Sequence, residues 1–440
     1  MISKKIAAAS AAGGGESFFL SEIQDSAGTN GGQVLDIARD SNDDIIFIEE
    51  DALVKMSRED GSIIWKVDPT TLNGDVYGVC LDPSDNIYVC GTTLSHAYVA
   101  KFNSSGTLQW AKEYAAASGN SILRAITYNN SYGLYTAGTW YDSSVSNNTP
   151  ILMRLNPSSG VTQLTRYLYV SISSYAFDEV NDVAVDSSGY SYVVGRGATG
   201  SSYKYQSIWR LGYTGSGHQG YAYDYGSITG VFADGTDIYT VAQTGTTGSW
   251  GVNGAQIMKI TGSNLNNLSQ VYRYKDFSVT NRLYTGDISI DSSGNIITSA
   301  VEGNSASDYG VYITKHNSSF SQQASQKIIF GNLTTNYFTY YPSSDLLSDD
   351  NILSSNIFYN GSGSTNSGGV YYLDTSDLAI SQTYTDWVMQ DRDSDVTTSI
   401  GPTSKTSVSY WGSSTWYATT NTVSISGSTP LTTSTIQEIP

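Results

Sequence analysis

Between Val76 and Tyr114 apolar and polar residues alternate in four short runs: Val76–Leu81, Ile87–Thr92, Ala97–Phe102 and Thr107–Tyr114. Alternation with a period of two places one face of each run against a core. Turn residues separate the first run from the second (Asp82-Pro83-Ser84-Asp85-Asn86) and the third from the fourth (Asn103-Ser104-Ser105-Gly106). The pattern predicts an antiparallel four-stranded meander. No long stretch shows apolar residues at helical spacing.

The same grammar returns along the chain. The first turn recurs as Asp40-Ser41-Asn42-Asp43-Asp44, Asn129-Asn130-Ser131-Tyr132-Gly133, Asp186-Ser187-Ser188-Gly189, Asp234-Gly235-Thr236-Asp237, Asp291-Ser292-Ser293-Gly294-Asn295 and Ser348-Asp349-Asp350-Asn351. The third run recurs at Leu53–Met56, Ile151–Leu155, Ile208–Leu211, Ile257–Ile260, Val311–Lys315 and Val370–Leu373. The spacing of roughly 42 to 58 residues is that of propeller blades. A lone meander cannot bury both faces, and radial packing of successive blades does. The expected fold is all-β: a seven-bladed β-propeller of four-stranded antiparallel blades over residues 32–386. First strands such as Val34–Ala38, Val76–Leu81, Val180–Val185 and Ile288–Ile290 are expected to line the axis. Gly91, Gly138 and Gly195 are expected to mark where second strands leave the sheet.

The repeat Val79-Cys80-Leu81-Asp82, Asn86-Ile87-Tyr88-Val89-Cys90-Gly91, then Tyr98 to Trp110, resembles the bacterial β-propeller repeat of the SBBP type. The repeats at Asp186 and Asp291 carry the first half well; those at Asp234 and Ser348 are degenerate. The resemblance covers about residues 33–386 and implies a fold rather than an activity.

Two segments stand outside the repeat. Residues 1–31 open with Ser3-Lys4-Lys5-Ile6-Ala7-Ala8-Ala9-Ser10-Ala11-Ala12-Gly13-Gly14-Gly15, which resembles the openings of marine bacteriophage tail proteins. That resemblance implies an extended arm anchored on another virion protein by main-chain hydrogen bonds, disordered in the isolated protein. As a signal peptide the apolar stretch is short. Residues 387–440 are Ser/Thr-rich with Trp411, Trp416 and Tyr417, and read as a β-rich extension for ring closure or subunit docking.

Composition narrows the function. The 440 residues carry a net charge of −18, which repels phosphate backbones. No run is apolar and long enough to span a bilayer as a helix. The expected partners therefore include neither nucleic acid nor a membrane interior. The two cysteines, Cys80 and Cys90, flank one turn. Pairing Leu81 with Val89 sets them opposite one another, so a cross-strand disulfide competes with the plainer reading of two buried thiols.

Candidate chemistry is sparse. Asp at the start of each turn reads as a cap on its own backbone rather than a calcium ligand. Asp391, Asp393 and Asp395 are the cation candidates, but the Gly and closing Glu of a calcium loop are missing. His96, His218 and His316 fall in different repeats without a flanking catalytic motif. Neither a cofactor nor a catalytic residue is expected. Trp65 and Trp110 hold the same place in successive fourth strands, a packing position.

The connections between second and third strands swell at 139–149, 196–206, 243–255, 302–309 and 358–369. They carry Trp140, Tyr141, Tyr203, Tyr205, Trp250, Tyr309, Phe358 and Tyr359 among Gly, Ser and Asn. Aromatics among small polar residues suit adaptable recognition, and aromatic faces stack on sugars. The expected role is a non-enzymatic bacteriophage virion structural protein, associated with the tail and present in multiple copies. Its loop face would contact a host-surface glycan or protein, and its N-terminal arm other virion proteins. The alternatives are a secreted or cell-surface bacterial adhesion or carbohydrate-binding propeller and, behind both, a polysaccharide-cleaving enzyme.

Overall fold

The computed structural model describes most of residues 34–330, with short breaks, together with 2–10, 16–24, 342–360, 365–373, 382–383, 387–391, 417–419 and 437–438. Every regular element described is a strand. Strands β1 (Ile2–Ser10) and β2 (Glu16–Gln24) precede the repeats. The first meander is β3 (Val34–Arg39), β4 (Ile45–Glu49), β5 (Ala52–Met56) and β6 (Ile63–Asp68). The second is β7 (Asp75–Leu81), β8 (Ile87–Thr92), β9 (Ala97–Phe102) and β10 (Leu108–Tyr114). Strands β11 (Ser121–Asn129), β12 (Gly133–Asp142), β13 (Asn147–Leu155) and β14 (Thr162–Tyr169) form the third. There follow β15 (Tyr175–Val185), β16 (Tyr190–Thr199), β17 (Tyr203–Gly212), β18 (Gln219–Asp234), β19 (Asp237–Gly245), β20 (Val252–Ile260) and β21 (Leu268–Asp276). The next meander is β22 (Arg282–Ile290), β23 (Ile296–Gly303), β24 (Gly310–His316) and β25 (Gln322–Phe330). The last repeat supplies β26 (Ser344–Leu346), β27 (Ile352–Asn360) and β28 (Thr365–Leu373). The C-terminal region adds β29 (Gln382–Thr383), β30 (Trp387–Asp391), β31 (Tyr417–Thr419) and β32 (Gln437–Glu438).

The fold is an all-β propeller of four-stranded antiparallel blades. It has six blades, not the expected seven, because the described strands are hydrogen-bonded into six sheets. The physical reason is β18. It runs unbroken for 16 residues, pairing through Gln219–Tyr225 with β17 and through Gly226–Asp234 with β19. The two meanders on either side of it therefore share one seven-stranded sheet, β15 to β21. The sequence Tyr223-Asp224-Tyr225-Gly226-Ser227 offers no Pro to break the strand, and Gly226 carries it through at φ 136°.

The end segments add strands to the blades. Strand β2 pairs with β28 from Phe18↔Leu373 to Ile23↔Gly368, and β1 lies outside it as an edge strand. The segment read as a free arm thus supplies the fourth strand that β26–β28 lack. At the other end β30 pairs with β25, β31 with β14 and β32 with β6. Among the described residues of 387–440, β30, β31 and β32 each join a different sheet, which covers backbone groups that an open edge would leave unpaired.

Two compact units divide the chain. One comprises Met1–Lys66, Gly251–Ala255 and Tyr272–Ile400, the other Val67–Trp250, Gln256–Val271 and Gly401–Pro440. In the first, Val34, Phe47, Val54, Leu353 and Val370 pack into one apolar cluster. In the second, one core gathers Tyr88, Leu123, Trp140, Met153 and Leu155, and another gathers Tyr192, Ile208, Ile228 and Met258.

Adjacent turns of the first unit clasp one another. The fourth residue of the turn between first and second strands takes a left-handed conformation, with Gly189 and Gly294 in that place in two repeats. Asp43 (φ 61°) and Asp350 (φ 63°) hold it without a glycine's freedom. Their side chains explain why. Asp350 Oδ1 accepts from Ser292 N at 2.9 Å, and Asp43 Oδ1 accepts from Ser348 N at 3.0 Å. In each case the serine hydroxyl also donates to the same carboxylate. Burial opposes the charge on Asp43, but the Ser348 bonds and the Arg39 and Arg58 cations hold its carboxyl below the usual range. Asp43→Gly keeps the backbone conformation and removes the clasp. We expect it to lower stability by ~2 kcal/mol in urea unfolding; an unchanged midpoint would show the clasp to be idle.

Candidate functional site

Four turn aspartates first serve their own backbone. Oδ1 of Asp82 accepts from the amides of Ser84 (2.9 Å) and Asn86 (3.0 Å), and Oδ1 of Asp186 from Ser188 (2.8 Å) and Tyr190 (2.9 Å). Asp40 and Asp291 repeat the arrangement. The capping reading of these turns is what the structure shows.

The other carboxylate oxygen reaches the sheet, and the partner depends on one residue. Six positions after the aspartate stand Ile46, Tyr88, Tyr192 or Ile297, each directly opposite a third-strand cation: Lys55, Lys101, Arg210 and Lys315. Where the residue is isoleucine, the lysine bonds the aspartate: Lys55–Asp40 at 2.6 Å and Lys315–Asp291 at 3.0 Å. Where it is tyrosine, the hydroxyl takes the place: Tyr88 and Tyr192 donate to Asp82 and Asp186 at 2.9 Å. Lys101 then withdraws to 3.8 Å from Asp82 and sits 5.0 Å above the Tyr88 ring. Burial pushes the Tyr88 hydroxyl far above its ordinary range, and the Asp82 hydrogen bond adds to it, so it acts as a donor rather than an acid.

First strands share a second device. Register shifts fall at Val34/Asp36, Val76/Gly78, Leu123/Ala125, Val180/Asp182 and Ile228/Gly230. Each is a β-bulge that leaves one residue without an opposite number: Leu35, Tyr77, Arg124, Asn181 or Thr229. Asp36, Asp182, Asp287 and Asp345 cap the following amides at 2.7 to 2.9 Å. These carboxylates are committed to the backbone. The turn corrects the cysteine register: Leu81 pairs with Ile87, so Cys80 pairs with Tyr88 and Gly78 with Cys90, and no disulfide joins the two thiols.

The expected loop aromatics divide. Trp140 lies on β12, is 2% exposed and packs edge-on against Tyr167. Tyr205 lies on β17 and is buried in the core with Trp209. Both are core residues, because the swollen connections are largely continued strands: β12 and β13 pair as far as Asp142↔Asn147, and β16 and β17 as far as Thr199↔Tyr203. Tyr141, Tyr203, Phe358 and Tyr359 fall in strands β12, β17 and β27 near the hairpin ends. Trp250 and Tyr309 lie outside the described residues, as do Asp393 and Asp395. Asp391 pairs with Gln326 in β30. Among the described residues no three His, Cys, Asp or Glu side chains are grouped as metal ligands. Trp110 packs as expected: its Nε1 donates to Pro157 O at 3.1 Å and its ring covers Gly160 of the next repeat. His96 lies 3.7 Å from Glu113, whereas His316 is fully buried.

No family model matches the chain, and no curated protein matches it. Solved structures do. A streptogramin B lyase is similar with a TM-score of 0.49 at 12% identity, covering 81% of this chain and 98% of that one. A virginiamycin B lyase from Staphylococcus aureus gives 0.49, 12%, 81% and 100%. Drosophila Semaphorin 1a, extracellular domains 1–2, gives 0.44, 10%, 83% and 94%. Likeness at such identity concerns the fold alone. None of these findings supports the likeness of the N-terminus to phage tail proteins.

Proposed function

We propose that the protein is a non-catalytic structural protein of a bacteriophage virion, tail-associated and present in many copies. In this reading the hairpin ends between second and third strands meet a host-surface glycan or protein, and the N-terminal hairpin meets other virion proteins. The observation that carries it is the position of β1. Among the described strands it is the outermost of its sheet, paired with β2, and includes Ala7-Ala8-Ala9. Small residues on an edge strand suit main-chain pairing with a second protein. Tyr141, Tyr203, Phe358 and Tyr359 remain as the hairpin-end aromatics of the recognition surface, with Trp140 and Tyr205 removed from it. Many copies would turn weak contacts into firm attachment. Non-catalysis is supported by the use of the repeated turn and bulge carboxylates as backbone caps.

Mass spectrometry of purified phage particles tests the reading. Peptides of this chain among the virion proteins are expected, and deletion of residues 1–12 should lower incorporation at least tenfold. Recovery of the chain only from bacterial culture medium, or release of new reducing ends from host polysaccharide, would sink it.

A further inference from the structure

Cations are scarce in this chain, 22 against 40 acidic residues, and those whose side chains are described are spent on structure. Lys55, Lys101, Arg196, Lys259 and Lys315 pair with carboxylates, and Arg154 and Arg166 donate to backbone carbonyls. Arg124 differs. It is the extra residue of the bulge in β11, between the buried Leu123 and Ala125. Its guanidinium carbon lies 5.0 Å from the centre of the Tyr77 ring. Among the described residues it makes no hydrogen bond or ion pair. Tyr77 is itself the bulge residue of β7, and its hydroxyl donates to Asp75 at 2.9 Å. Two bulges therefore bring together an aromatic ring, an unused five-donor fork and an exposed carboxylate.

We propose that Arg124 and Tyr77 form a binding site for a sugar that bears a carboxylate. A planar guanidinium matches a carboxylate through two parallel hydrogen bonds. Stacking on Tyr77 holds the fork in one orientation, so little side-chain entropy is lost when a ligand engages it. The tyrosine offers remaining ring surface to a sugar's C–H face. Asp75, acceptor-only when ionised, takes sugar hydroxyls. The strongly acidic protein repels polyanions with closely spaced charges, which favours one carboxylate per sugar over a phosphate chain. This site is distinct from the hairpin ends and does not depend on the virion reading.

Calorimetric titration of the full chain with trigalacturonate, 3′-sialyllactose and the neutral maltotriose tests it. At least one acidic sugar should bind at least tenfold more tightly than maltotriose. Arg124→Gln should weaken that binding at least tenfold, and Arg124→Lys, which keeps the charge but not the fork, about fivefold. Binding of neither acidic sugar, equal binding of maltotriose, or unchanged affinity in a folded Arg124→Gln protein overturns the proposal. If Arg124→Gln melts early, Arg124→Lys decides: wild-type affinity overturns the proposal and weakened affinity supports it. A chain found only in culture medium that still binds through Arg124 would remove the virion reading and leave this site standing.

Discussion

Replacing His316 with leucine is expected to stabilise the protein, by an amount that grows as the pH falls. His316 stands opposite Ile296 in the slot that Met56, Phe102, Leu155 and Leu373 fill in other repeats. It is 0% exposed, and burial pushes its pKa from 6.5 down to about 3. The folded protein thus holds it neutral where the unfolded chain takes up a proton. With a depressed folded pKa, this group costs stability once the pH drops below 6.5, and the loss deepens until about pH 3. Between pH 7 and pH 5 the loss is ~2 kcal/mol. Asp43, Asp82 and Asp291 also have depressed values, but their contributions are lost only below the ordinary carboxylate pKa of 3.8. Asp345, raised by burial, works in the opposite sense, and it is present in both proteins. The leucine variant leaves Thr314 its 2.7 Å bond to Thr298. Urea unfolding at pH 7, 6 and 5 should show the two stabilities diverging by ~2 kcal/mol. Parallel curves would mean that the imidazole takes up its proton in the fold as readily as in the unfolded chain.

The repeat was legible because its signals are local. An Asp or Asn that caps its own turn needs only the next four residues, and the turns at Asp40, Asp82, Asp186 and Asp291 lie where the sequence puts them. What failed was register and strand length. The turn after β7 closes from Asp82 to Asn86, so Leu81 meets Ile87 rather than Val89, and Cys80 meets Tyr88 instead of Cys90. The Gly, Ser and Asn around Trp140 and Tyr205 read as loops, yet both aromatics sit in strands whose cores need them. The blade count failed for the same reason: nothing in Gln219–Asp234 forces a turn, and nothing local forbids one long strand. Arg124 had one signal, a cation between two apolar residues of a first strand, but its meaning required the neighbouring blade.

The same bulges set the second large effect: Gly138→Ala should destabilise the protein by ~3 kcal/mol or more, enough to unfold a marginal domain. Gly91, Gly138 and Gly195 were expected to mark strand exits. They lie inside strands, with partners on both sides. Each stands opposite the residue that opens a bulge: Val76, Leu123 or Val180. The bulge drives the edge strand's backbone toward the second strand, and a Cβ at Gly138 would collide with the Ile122 carbonyl oxygen. At Gly91 it would collide with the Asp75 carbonyl. Neither obstacle is a side-chain end that can swing away, so relief requires β11 or β7 to move and to give up ladder hydrogen bonds. Gly235 supplies the contrast. Its φ is +60°, but nothing lies within 4 Å of its Cβ position. Gly235→Asn should therefore cost under ~1 kcal/mol, since asparagine tolerates the left-handed region. Measured side by side in urea, a large loss at Gly138 and a small one at Gly235 would place the glycine requirement in the bulge. Equal losses would place it in backbone entropy instead, and the close approach of the two strands would have no energetic consequence.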